Sequence, residues 1–155
     1  MAAPSPTARG TPSGRKLKKG FRTLVTLSRN PTIALFETSV TPPGLDGGDM
    51  IDNTTMHNTR WRTKAPRDLI DSTELTFTAA YDPKIYTDIL QQLNIEQTIT
   101  CRFSDGSTYA FYGAITKLEF GESTEADMPT VTCTVMPTNV DPTTGAETDP
   151  VLTEV

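Results

Sequence analysis

The sequence predicts a mainly β domain of antiparallel strands with one α-helix, and three observations carry this. Residues 72–80 and 130–136 alternate apolar residues with polar ones, mostly threonine, at the two-residue period of a half-buried strand. Asp105-Gly106 separates two strand-like segments and marks a hairpin. Asp82-Pro83 opens the one stretch whose apolar spacing is helical.

Thr32–Val40 reads as a strand, with Ile33, Leu35, Phe36 and Val40 between Pro31 and Pro42-Pro43. Residues 41–60 form a long break. Its length exceeds most connections inside a compact domain, and it holds Leu45, Met50, Ile51 and Met56, which a purely solvated linker does not need. We read it as a protruding loop that docks on something. Trp61–Lys64 is a short strand or edge. Ser72–Ala80 places Thr73, Leu75, Phe77 and Ala79 on one face. The helix then runs from Pro83 to about Asn94, with Asp82 as N-cap. Ile85, Ile89 and Leu93 form its buried stripe, widened by Tyr86 and Leu90, and such a stripe needs a sheet to lie against. Ile95–Phe103 and Thr108–Phe120 are the hairpin strands. A two-residue turn at Asp105-Gly106 pairs Cys101 with Ala110 and Thr100 with Phe111. Apolar residues fall on both faces of 108–120, which a bulge at Gly113 or a second buried face explains. An acidic loop, 121–129, leads to the last strand, where Val131, Cys133 and Val135 share a side.

At 155 residues the chain suits one domain with one core. We divide it into a basic arm (1–20), a body (21–138) and an acidic C-terminal tail (139–155). The arm, rich in proline and glycine, is expected to be disordered in a free monomer, and the tail to be loose. Residues 1–30 carry seven basic and no acidic residues; the remainder carries seven basic and nineteen acidic ones, so a +7 front precedes a −12 body. Such asymmetry suits nucleic acid, a membrane surface or the acidic body of another copy. No apolar run is long enough to cross a bilayer, and no secretory signal is expected. Cys101 and Cys133 read as buried thiols, with a bridge between neighbouring strands as the alternative.

Motifs of catalysis are missing from the sequence. There is no phosphate-binding loop, dinucleotide fingerprint or nucleophile elbow, and the single histidine, His57, has no metal-ligand spacing around it. No catalytic residue, metal or cofactor is therefore assigned. Asp46, Asp49 and Asp52 carry oxygens that suit calcium, but position twelve from Asp46 is His57, where a calcium loop needs glutamate. A polar assembly loop is the better reading. Arg15-Lys16-Leu17-Lys18-Lys19 suits phosphate, yet only Phe21 lies near for stacking, and no nucleic-acid module surrounds it.

Four pieces in this order resemble the tail tube (major tail) proteins of long-tailed bacteriophages, which are related in fold to the tube proteins of contractile injection systems. They are the strand ending in Thr41-Pro42-Pro43, the Gly47-Gly48-Asp49-Met50-Ile51-Asp52-Asn53-Thr54-Thr55 loop, and the Asp82-Pro83 helix. The fourth is the hairpin strand Tyr109-Ala110-Phe111-Tyr112-Gly113-Ala114-Ile115-Thr116, followed by the acidic loop and the strand ending at Met136-Pro137. The resemblance spans Phe21 to about Val140. It implies a β-sandwich or small barrel flanked by one helix. It also implies six-fold rings stacked into a hollow tube in the virion, assembled in the host cytoplasm. That tube surrounds a tape measure protein, is closed by tail terminator and distal tail or baseplate proteins, and conducts double-stranded DNA into the host, with no membrane anchor. In such a family the arm and the long loop reach neighbouring subunits.

The working residues are then interface residues: Leu45, Met50, Ile51 and Met56 as apolar plugs, Asp49 and Asp52 as polar partners, and Arg15, Lys18 and Lys19 as the arm's charges. The rival readings are a tube subunit of a contractile tail or secretion system, a small calcium-dependent or other enzyme using the aspartate loop, and a small nucleic-acid-binding module using the basic arm.

Overall fold

The computed structural model describes residues 23–30 and 36–154. The arm, with Arg15, Lys18 and Lys19, lies outside the described residues, as do residues 32–35 of the first expected strand, Thr32–Val40. The elements are β1 (Leu24–Leu27), β2 (Glu37–Thr41), β3 (Leu45–Asp46), β4 (Ile51–Asp52), β5 (Lys64–Ala65), β6 (Asp71–Ser72), β7 (Leu75–Ala80), α1 (Pro83–Gln92), β8 (Gln97–Arg102), β9 (Thr108–Phe120), β10 (Thr130–Pro137) and β11 (Val151–Thr153). Seven strands form one antiparallel sheet in the order β1-β8-β9-β10-β7-β2, with β11 on β9. The sheet curls until its outermost strands come together, where Val25 N–H donates to Glu37 Oε1 at 2.9 Å. The expected antiparallel β fold with a single helix is the fold observed.

One face of the sheet makes the core. Leu27, Leu75, Phe77, Ile89, Ile99, Cys101, Ile115, Cys133 and Val135 are all but inaccessible to solvent. Leu75, Phe77 and Ala79 lie inward from β7 as their alternation requires, and Cys133 and Val135 do so from β10. The opposite positions are threonines, which pair across strands: Thr76 with Thr134 and Thr78 with Thr132, whose hydroxyls lie 3.3 Å apart. Branched Cβ atoms suit this pleated, half-exposed surface.

The hairpin register differs by one residue from the sequence expectation. Cys101 faces Tyr109 and Thr100 faces Ala110. The connection is a three-residue loop, Ser104-Asp105-Gly106, closed by Phe103 N–H to Ser107 O (2.9 Å) and Gly106 N–H to Phe103 O (3.0 Å). Only Gly106 has positive φ (91°). Asp105 instead accepts from Ser107 N–H at 2.9 Å, which fixes a turn followed by a left-handed glycine rather than a two-residue turn. Tyr109, Phe111 and Ile115 consequently face the core.

Of the two readings open for β9, a bulge is present, but at Thr116 and not at Gly113. Thr134 opposes Lys117 and Val135 opposes Ile115, so Thr116 is the extra residue. It re-phases the strand: odd positions face inward up to Ile115, and Leu118 packs on the core beyond it. Gly113 has another job. A Cβ there would meet Met136 O at 2.8 Å and Phe111 Cε2 at 3.2 Å, so the two strands approach as closely as only glycine allows. Gly113→Ala is expected to lower stability by about 1–3 kcal/mol, the usual cost of overpacking. A thermal or urea melt that matches the parent would contradict this.

The helix starts as expected. Asp82 Oδ1 accepts from Lys84 N–H at 3.0 Å, and Pro83 sits where no donor is needed. Ile89 is buried and Ile85 and Leu93 pack on the core, but Tyr86 and Leu90 are exposed and Gln92 is buried in their stead. The stripe is narrower than its spacing suggests. The chain leaves α1 through Asn94 in left-handed conformation (φ 59°), whose N–H donates to Ile115 O at 2.9 Å. The tail is not loose throughout. Val140 bridges Glu147, and β11 pairs with Thr108–Ala110 of β9.

Cys101 and Cys133 sit on β8 and β10, which both flank β9, so they are not on neighbouring strands and are free and buried. Burial pushes both thiols up to about 12, and Glu37 adds to this at Cys101. They should stay inert to thiol reagents at neutral pH until the chain unfolds. The unfolded thiols ionise from about pH 9 upward while the folded ones do not, so the unfolded state holds fewer protons. Stability is thus full below that pH and is lost as pH rises toward 12, at up to about 1.4 kcal/mol per pH unit per thiol. Urea midpoints between pH 8 and 11 measure this slope, which should shrink in Cys101→Ala; an unchanged slope would contradict it.

Candidate assembly surfaces

The long break between β2 and β7 is larger and more regular than expected. It folds back on itself as a narrow hairpin reaching from residue 42 to 74. β3 pairs with β6 at its base (Leu45 with Ser72), and β4 pairs with β5 further out (Ile51 with Ala65). The short strand expected at Trp61–Lys64 is β5, shifted to Lys64–Ala65. At the base, Gly44 N–H donates to Thr73 Oγ1 at 2.6 Å and Thr73 N–H to Gly44 O at 2.9 Å. The tip is tied by polar side chains. Thr63 N–H donates to Thr54 Oγ1 (3.0 Å), Thr55 N–H to Asn58 Oδ1 (2.9 Å), and Asn58 Nδ2 to Trp61 O (2.8 Å). This explains the asparagines and threonines there: local side-chain bonds replace the sheet ladder a two-stranded ribbon lacks.

The aspartates of this segment serve the same end. Asp46 Oδ1 accepts from Gly48 N–H at 2.8 Å, and Gly48 takes a left-handed turn (φ 76°). Asp52 accepts from Thr54 N–H at 2.9 Å and faces Arg62 at 3.4 Å. Its carboxyl is held below the usual range chiefly by the Thr54 hydrogen bonds, with Lys64 adding a little. Asp49 offers its backbone carbonyl to Arg67 Nε at 2.9 Å. Among the described residues no three such side chains are placed to hold a metal ion. His57 is exposed at the tip.

What this ordered hairpin leaves uncovered is apolar. Leu45 is 66% exposed, Met50 and Ile51 are about half exposed, and Met56 is wholly exposed. All four residues singled out from the sequence therefore present themselves to solvent on one protrusion. Three more join them. Leu69 is 83% exposed, Ile70 is also exposed, and Trp61 carries the Arg60 guanidinium 5.5 Å from its ring centroid. Sequence reasoning stopped the loop at residue 60 and so missed these. The signal was present in Leu69-Ile70, two large apolar residues inside an otherwise polar run. A free monomer rarely exposes so much apolar surface in one place, and such patches mark interaction sites.

A second uncovered surface lies at the end of the body where β7, β9 and β10 meet the start of α1. Phe120 is 61% exposed and touches Tyr81 (centroids 6.1 Å apart, edge-on) and Tyr86 (5.8 Å). A cleft of about 310 Å³ opens beside Phe120 and Tyr81, walled by Gly121, Ser123, Pro129 and Thr130. No alternation rule points to this cluster, because its three rings come from different elements far apart in the chain.

No family model matches the chain, and no curated protein matches it. Solved structures do. One chain of a structure described as "Virion of native gene transfer agent (GTA) particle" superposes with a TM-score of 0.60 at 12% identity, covering 88% of this chain and 99% of that one. A chain of "Tail of empty GTA particle computed with helical refinement, C6 symmetry" gives 0.57 at 10% identity, covering 90% and 99%. At such identities the likeness is one of fold, and it is the likeness that the resemblance to tail tube proteins implied: this chain is folded like a chain of the gene transfer agent virion and tail.

Proposed function

We propose that this protein is a structural subunit of a virion tail, and that its copies close into six-fold rings which stack into a hollow tube guiding DNA from the particle to the host. The observation that carries the reading is the ordered hairpin of residues 42–74, built to hold seven large apolar side chains out in water. Its match in fold to a chain of a six-fold symmetric tail supports the ring geometry. Closed rings need a heterologous contact, in which one surface of a subunit meets a different surface of the next, and a protruding hairpin against a neighbour's body supplies one.

On this reading Leu45, Met50, Ile51 and Met56 insert into the adjacent subunit. Asp49 and Asp52 edge that contact, and Arg15, Lys18 and Lys19 bring the arm's charge to an acidic body. A tape measure protein occupies the bore during assembly, and terminator and distal or baseplate proteins cap the ends. Electron microscopy of the concentrated full-length protein tests the reading: tubes with six-fold end views are expected, and a dispersed monomer at millimolar concentration would contradict it.

A further inference from the structure

We infer that the cleft beside Phe120 receives the basic arm of another copy, with Leu17 and Phe21 against the exposed rings and the lysines and arginines around them against the acidic loop. The inference rests on the tube reading and adds to it a specific contact and its direction.

The chemistry of the two surfaces is complementary. The cleft has aromatic walls that the body leaves open to water, and the adjoining loop 121–129 carries Glu122, Glu125 and Asp127, all exposed, with no basic residue. The segment 15–22 reads Arg-Lys-Leu-Lys-Lys-Gly-Phe-Arg: five cations, one aliphatic and one aromatic residue, and no acid. One aliphatic and one aromatic side chain with cations between them match aromatic walls beside a carboxylate-bearing loop, through apolar and ring contacts and cation–π attraction.

The geometry rules out a chain covering its own cleft. Leu24 pairs with Arg102, and Arg102 with Thr108, so the arm leaves the body at the Thr108 end of β9. Phe120 is at the other end of that strand. Twelve residue steps at about 3.3 Å each put the two ends about 40 Å apart, somewhat less with curl. Fully extended, the chain carries Phe21 no more than about 11 Å from Leu24 and Leu17 no more than about 25 Å. Neither reaches. An arm leaving one end of the body and a cleft at the other define a heterologous contact, and because it runs end to end along β9 it stacks copies rather than setting them side by side, and so joins successive layers of an assembly.

Full-length protein carrying Gly20→Cys and Ser123→Cys tests this, because Leu17, Phe21 and Phe120 are kept and the native thiols are buried. Oxidised with diamide at high protein concentration, it should give a ladder of dimer, trimer and longer species on a non-reducing gel. Each single-cysteine variant should give no species beyond dimer. Adding Phe120→Asp should lower the ladder at least tenfold, with unchanged circular dichroism, and 1 M salt should lower it several-fold by screening. A cross-link confined to the monomer, no ladder, or a ladder indifferent to Phe120→Asp overturns the inference. Micrographs of the same samples separate it from the tube reading: tubes without a ladder sink the arm contact alone, whereas neither tubes nor ladder sinks both.

Discussion

Replacing Met50 and Ile51 by aspartate is expected to abolish assembly while leaving the subunit folded. Both side chains stand about half exposed on β4 and its approach, and neither belongs to the core. The substitutions should therefore leave thermal stability within about 0.5 kcal/mol of the parent, the usual range for surface changes. In the proposed tube the same residues lie against a neighbour. Losing the burial of the exposed half of two such side chains removes about 1.5–3 kcal/mol per subunit, which raises the concentration needed for assembly by a factor of about 10–150, before the cost of burying two carboxylates. Turbidity or sedimentation against concentration reads this. Tubes forming at the parent's threshold in the double variant would refute the role of the hairpin.

The largest effect on folding is expected from Phe77→Ala. Phe77 is wholly buried on β7, between β10 and β2, and belongs to the same cluster as Leu75, Ile99, Ile115 and Val135. Truncating a buried phenylalanine costs about 3–5 kcal/mol in lost burial and residual cavity, a large share of the roughly 5–15 kcal/mol that holds a domain of this kind together. Urea denaturation of the two proteins at low concentration, where assembly does not add to stability, measures it. A loss under about 1 kcal/mol would place the core elsewhere.

The contrast between these two substitutions reflects what the sequence could and could not convey. The alternation of Leu75, Phe77 and Ala79, the Asp82-Pro83 start of α1, and the bounds of β9 were legible, because each depends on neighbours one to four residues away. The hairpin register was misjudged by one residue because Asp105-Gly106 is compatible with two turn types. Only the capping bond from Ser107 to Asp105, and the positive φ confined to Gly106, separate them. Apolar residues on both faces of β9 left two readings open, a bulge or a second buried face, and the strand does carry a bulge. Its place was misjudged, since Gly113 was the obvious breaker while the extra residue is Thr116. β1 and β11 were not anticipated. Four residues such as Leu24–Leu27 are too short to show a period, and Val151–Thr153 forms a strand only because β9 offers it an edge.

The surfaces followed the same division. Leu45, Met50, Ile51 and Met56 stood out as apolar residues in a polar loop, and the structure exposes all four. That the loop continues through Trp61, Leu69 and Ile70 as one paired hairpin depends on contacts between residues 12 to 27 positions apart. The Tyr81, Tyr86 and Phe120 cluster depends on three elements meeting at one end of the fold.

Amide hydrogen exchange across residues 44–72, measured for dilute monomer and for concentrated protein, tests most directly whether copies of this chain cover what one copy leaves bare. A two-stranded ribbon alone protects its amides weakly. The account predicts that protection of this hairpin rises sharply with concentration while that of core strands such as β7 and β10 changes little. Equal exchange of 44–72 at both concentrations, with the sheet fully protected throughout, would show that the hairpin remains in water and would contradict it.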